Sequence, residues 1–117
     1  MYSGKVEHIE LIQLMNKNSK QMRDAINEMH TRAKESAIAE KTYRTKLAVK
    51  KLELKDKGLP VTLIDDISKG DAEIADLRFQ FHLATTLYDT AKEAIRSLRA
   101  EASVLQSILR IQYDKGE

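Results

Sequence analysis

The residues able to do chemistry are few and scattered. His8, His30 and His82 stand alone, and neither His-x-x-x-His nor Glu-x-x-His occurs. A di-metal carboxylate bundle needs paired Glu-x-x-His turns aimed inward, so that chemistry has no ligand set here. The chain has no Cys, which removes thiol catalysis, disulfide scaffolds and zinc ribbons. Asp65, Asp66 and Asp71 form an acidic cluster without the ligand spacing or the terminal Glu of a calcium loop. Capping and turn-making account for them. Neither a Gly-rich phosphate cradle nor a nucleophile elbow is present. The chain is expected to be no enzyme and to take no cofactor, metal or small-molecule substrate.

Charge is more informative than any single residue. The 117 residues hold 20 Lys+Arg against 18 Asp+Glu, a net +2 that is too small for the whole chain to act as a polycation. Locally the balance is uneven. Between Lys41 and Lys57 seven basic residues meet two acids, a local +5, and between Thr62 and Asp76 five acids meet Lys69 alone, a local −4. Lys41, Arg44, Lys46, Lys50, Lys51 and Lys55 are therefore candidate nucleic-acid contacts, with Tyr43 as a stacking partner. The competing reading is a solvated helix partly neutralised by the acidic connector.

The elements that carry these residues follow from the helix breakers. Apart from Gly4 and Gly116, every Gly and the only Pro fall in the segment from Gly58-Leu59-Pro60 to Gly70. The flanks are long, free of Gly and Pro, and rich in Ala, Leu, Glu, Lys and Arg. This predicts an all-α chain, 1–117 as one domain, with helices near 5–57 and 72–114 joined by a connector at 58–71. No apolar run reaches the ~18 residues of a membrane span, and the start lacks a signal-peptide plan. The expectation is a soluble, cytoplasmic protein.

The second helix has the stricter period. Alternating steps of three and four from Ile74 pass through Leu77, Phe81, Ala84, Tyr88, Ala91, Ile95, Leu98, Ala102, Leu105, Leu109 and Gln112, the seam of a coiled coil. The first helix is looser. Ile12, Met15, Met22, Ile26, Met29, Ala33, Tyr43 and Leu47 share a stripe interrupted by Ser19, Ser36 and Glu40, and a step to Ala37 suggests a stutter. Methionines at 15, 22 and 29 read as flexible core filler.

In the connector, Thr62 is expected to cap a short turn that Gly70 closes in a left-handed conformation. Asp71 then caps the second long helix, with Glu73 in its first turn. Pro60, Thr62, Gly70 and Asp71 are thus the structural residues of the connector. The topology is a long antiparallel helical hairpin with a short capped helix in its connector. Placing Lys57 beside Ala72 sets Gln112 against Lys17 and leaves residues 1–16 overhanging. The overhang carries Val6, Ile9, Leu11, Ile12, Leu14 and Met15, and the facing end of the second helix adds Val104, Ile108 and Ile111. Apolar surface of that extent marks association. The expectation is a homodimer or higher oligomer, two hairpins joining into a helical bundle.

The stretch from Tyr43-Arg44 and Lys46-Leu47-Ala48 leads into Gly58-x-Pro60-x-Thr62-Leu63-Ile64-x-Asp66-Ile67-x-x-Gly70-Asp71. It continues through Ile74-Ala75-x-Leu77-Arg78-Phe79, Tyr88-x-x-Ala91 and Glu93-Ala94-Ile95. This resembles a group of small helical proteins encoded by phages and prophages of Gram-positive bacteria, among early replication and recombination genes. The resemblance covers roughly residues 41–98 and supplies context rather than catalytic residues. It implies action in the host bacterial cytoplasm.

Three readings follow. The chain is a phage-encoded module that docks on, and inhibits, a nucleic-acid-processing or host-defence complex in the manner of an anti-CRISPR protein. Its apolar end, Ile9, Leu11, Ile12, Leu14, Met15, Val104, Ile108 and Ile111, is then the interface with a protein partner or a second copy. Alternatively it is a nucleic-acid-binding accessory of phage recombination using residues 41–57. A virion structural or assembly protein also fits a coiled coil.

Overall fold

Three helices, α1 (Gly4–Asp56), α2 (Val61–Gly70) and α3 (Ala72–Lys115), make up the chain. The computed structural model describes the backbone of residues 4–115 and the side chains of residues 8–114. Among these only residues 57–60 and 71 lie outside a helix. The fold is the all-helical hairpin that the breaker pattern predicts. The Val6 side chain and Gly116 lie outside what is described.

Each helix end has an identifiable cause. At the end of α1, Leu59 N–H donates to the Leu54 carbonyl at 3.2 Å and Gly58 N–H to the Lys55 carbonyl at 3.0 Å. This crossed pair is a Schellman closure, and Gly58 supplies its left-handed residue at φ +81°. Pro60 precedes α2 in an extended conformation with no side-chain cap. Asp71 caps α3 as expected: its Oδ2 accepts from Glu73 N–H at 3.1 Å and from Ile74 N–H at 3.3 Å.

Two connector expectations are corrected. Thr62 lies inside α2 and caps nothing, because Pro60 already fixes the extended entry and the helix begins at Val61. Gly70 is not left-handed; it ends α2, and the extended Asp71 (φ −62°, ψ 133°) stops the helix in its place. The left-handed residue belongs one joint earlier, at Gly58.

The chain divides into two compact units, Met1–Met29 with Thr90–Glu117, and His30–Asp89. In the first unit, Leu11, Asn18, Ala91, Ile95 and Leu105 form the buried core between antiparallel stretches of α1 and α3. Met15, Met22 and Met29 are half-buried beside them. The Asn18 amide donates to the Leu98 carbonyl at 3.0 Å, across the helix pair. In the second unit the core is Tyr43, Leu54, Ile64 and Ile74, with Ser68 fully buried on α2. Tyr43 stacks on Phe81 with centroids 6.0 Å apart. The Ser68 hydroxyl is satisfied within α2 by donating to the Ile64 carbonyl at 2.5 Å. Each large apolar side chain so buried contributes about 1.5–3 kcal/mol.

All twelve seam positions expected on α3 are buried or half-buried. On α1 the stripe differs. Leu11 is 4% exposed and Ile12 45%, so the seam enters one residue earlier. Ala37 is exposed while Ser36 and Glu40 are half-buried, so there is no stutter through Ala37. The heptad row Met15, Met22, Met29, Ser36, Tyr43, Lys50 stays covered because Ser36 meets Thr85 hydroxyl to hydroxyl at 3.1 Å. A satisfied polar pair can hold a seam position that hydrophobicity alone would reject.

The expected register is also corrected. Lys50, rather than Lys57, faces the start of α3, with its Nζ 3.4 Å from Asp71 Oδ1. The shift is about two helical turns. α2 runs back along the last turns of α1, as the 2.9 Å pair of Lys51 and Asp65 records, and so occupies the length that the simpler alignment assigned to α3. The overhang disappears with the shift: Leu11 and Leu14 lie beside Leu105 and Ile108.

Candidate docking surfaces

At the terminal end of the first unit, Leu11, Leu14, Leu105, Ile108 and Ile111 line an open groove of about 350 Å³, with Glu10 and Gln112 at its edge. The helix seam positions this groove. Leu11 and Leu105 are seam residues, and Leu14, Ile108 and Ile111 stand one row out on the same flank. Of the residues expected at this interface, Ile9, Ile12, Leu14, Val104, Ile108 and Ile111 are exposed. Leu11 is not available to a partner, because it is core, and Met15 is half-buried. Ile9 and Ile12 do not line the groove.

The candidate nucleic-acid segment is placed differently from its expectation. Arg44 Nε pairs with Glu40 at 3.1 Å on the same helix. Lys46 approaches Glu73 at 3.9 Å, Lys50 pairs with Asp71 at 3.4 Å and Lys51 with Asp65 at 2.9 Å. Lys69 shares Asp65 from the other side at 3.1 Å. These cations pull the Asp65 carboxyl below its ordinary value of 3.8, chiefly through the hydrogen bonds of Lys51 and Lys69. Asp71 is lowered too, first by the Ile74 amide and then by Lys50. Among the six candidates, Lys41 and Lys55 are exposed and make no ion pair among the described residues. Tyr43 is buried against Phe81 and has no face to offer a base. Lys50 and Lys51 of the basic run thus clasp the acidic connector, and Lys46 reaches the first turn of α3.

His82 is exposed beside Phe81, with ring centroids 5.4 Å apart. Among the described residues no group of three His, Cys, Asp or Glu is placed to hold a metal ion. No helix among them is long and apolar enough to cross a membrane.

Two surfaces escaped the sequence reading. In the second unit Ile38, Val49 and Leu52 on α1 and Leu83 and Leu87 on α3 are exposed. In the first unit Lys92, Arg96 and Arg99 line a second groove with Ile26, Met29 and Ile95. Both were within reach of the heptad: once the α3 seam is drawn, the rows on either side of it can be read for their own character.

No protein-family model, curated protein or solved structure matches this chain.

Proposed function

We propose that the protein is a non-enzymatic helical docking module that binds other proteins through the terminal end of its first unit. The observation that carries this reading is the groove of Leu14, Ile108 and Ile111 over Leu11 and Leu105. Open apolar surface between two helices is the form that receives the apolar stripe of a third helix. A second copy of the chain supplies such a stripe through Val104, Ile108 and Ile111, so self-association is part of the proposal. The resemblance to phage proteins supports a partner in a nucleic-acid-processing or host-defence complex, with inhibition as the outcome. The clasp of Lys50 and Lys51 on the acidic connector, with Lys46 reaching the first turn of α3, favours this reading over the nucleic-acid alternative.

The test combines light scattering with affinity capture from host lysate, with and without nuclease. Ile111→Asp and Leu14→Asp, both at exposed positions, should dissociate the oligomer or release a nuclease-resistant partner while circular dichroism stays unchanged. A monomer that captures only nuclease-sensitive material would overturn the proposal.

A further inference from the structure

The second groove of the first unit has a floor and a rim of opposite character. Ile26 and Met29 of α1 and Ile95 of α3 make the floor, and Lys92, Arg96 and Arg99 stand along it in a volume of about 380 Å³. The three cations occupy one line on α3 at steps of four and three, so they follow one face for about 10 Å. Arg23, exposed on α1 one turn before Ile26, adds a fourth positive charge on the facing helix. Glu93 pairs with Arg96 along α3. Arg99 makes no ion pair among the described residues. In this Arg99 differs from Lys46, Lys50 and Lys51, which face carboxylates across the fold.

We propose that this groove docks an acidic amphipathic helix of a partner protein, its apolar residues on Ile26, Met29 and Ile95 and its carboxylates against Lys92, Arg96 and Arg99. Two features favour a protein over a phosphate backbone. A polyanion needs cations but no apolar floor, and a single-stranded nucleic acid needs aromatic platforms, of which this groove has none. A helix with acids spaced i, i+4, i+7 beside a leucine stripe satisfies floor and rim together. The same rim turns away basic helices, so charge selects the partner as well as attracting it. The site is separate from the terminal groove, and either surface can fail its test without the other.

The probe is a labelled helical peptide of about 18 residues, ~27 Å long, with leucines on one stripe and glutamates flanking it. Fluorescence anisotropy should show saturable binding below ~100 μM. Arg96→Glu with Arg99→Glu should weaken it by about tenfold or more. A peptide with its leucines changed to glutamine should lose a similar factor. Ile111→Asp, in the terminal groove, should leave peptide binding intact. Absent binding, indifference to the arginine reversals, or equal affinity for the glutamine peptide would each overturn the proposal. Tighter binding of a single- or double-stranded oligonucleotide that displaces the peptide would assign the groove to nucleic acid instead.

Discussion

The side-chain amide of Asn18 is buried and donates to the backbone carbonyl of Leu98 at 3.0 Å. A single polar residue on an apolar seam disfavours other alignments, because any slip along the seam leaves its amide without a partner. Asn18→Asp places a carboxylate against that carbonyl and should cost about 2–3 kcal/mol, read as a lower urea midpoint. Asn18→Leu should be neutral or stabilising, while relaxing the alignment of α1 on α3. Equal losses from the two substitutions would show that the amide is not a register device.

The glycines of the connector should behave oppositely. Gly58 is left-handed with open space around its Cβ position, so Gly58→Ala meets no clash and pays only the backbone penalty of about 1 kcal/mol. Gly70 is helical and equally open, so Gly70→Ala should be neutral or stabilising by up to ~1 kcal/mol. The two melting temperatures decide the matter.

Acid should loosen the connector. The Asp65 and Asp71 carboxyls lie below 3.8 in the folded chain, so the unfolded chain binds more protons as the pH falls through that region. Their contribution is fully present above the unfolded value and is lost as pH drops through the lowered folded values. Asp65→Asn with Asp71→Asn keeps a capping side chain at 71 but removes the charges facing Lys50, Lys51 and Lys69. Urea midpoints of the two proteins should differ above about pH 5 and converge towards pH 2. Parallel curves would show that the clasp has no net electrostatic value.

Residues 41–57 should bind DNA weakly for so basic a segment. Lys50→Gln with Lys51→Gln should lower the stability of the connector while leaving the salt dependence of any DNA binding unchanged. A slope of log affinity against log salt that becomes shallower by about 0.7–0.9 per lysine would restore the nucleic-acid reading of the segment.

Much of the architecture was legible because its signals are local. Breakers mark the ends of the helices, and the α3 seam is nearly pure in apolar residues. What the sequence hid depends on the neighbouring helix. Leu11 and Ile12 are both apolar and differ by about 100° around α1, so only the position of α3 selects Leu11 for the core. Ser36 looks like a defect on the α1 stripe and becomes compatible through its hydrogen bond with Thr85, next to the seam residue Ala84. The register depends on how far α2 runs back along α1, which no pattern within either helix encodes. As for the docking surfaces, Leu14, Ile108 and Ile111 could be read from periodicity. The cations of the second groove needed the rows beside the seam.

Asp71 is the whole of the joint between α2 and α3: its N–H reaches back to the Ser68 carbonyl while its carboxylate caps the next helix. A joint of one residue has no slack. One inserted residue would turn α2 by about 100° against α3 and swing Ile64 and Ser68 out of the core. Length changes, protease nicks and grafted tags should therefore be refused at Asp71.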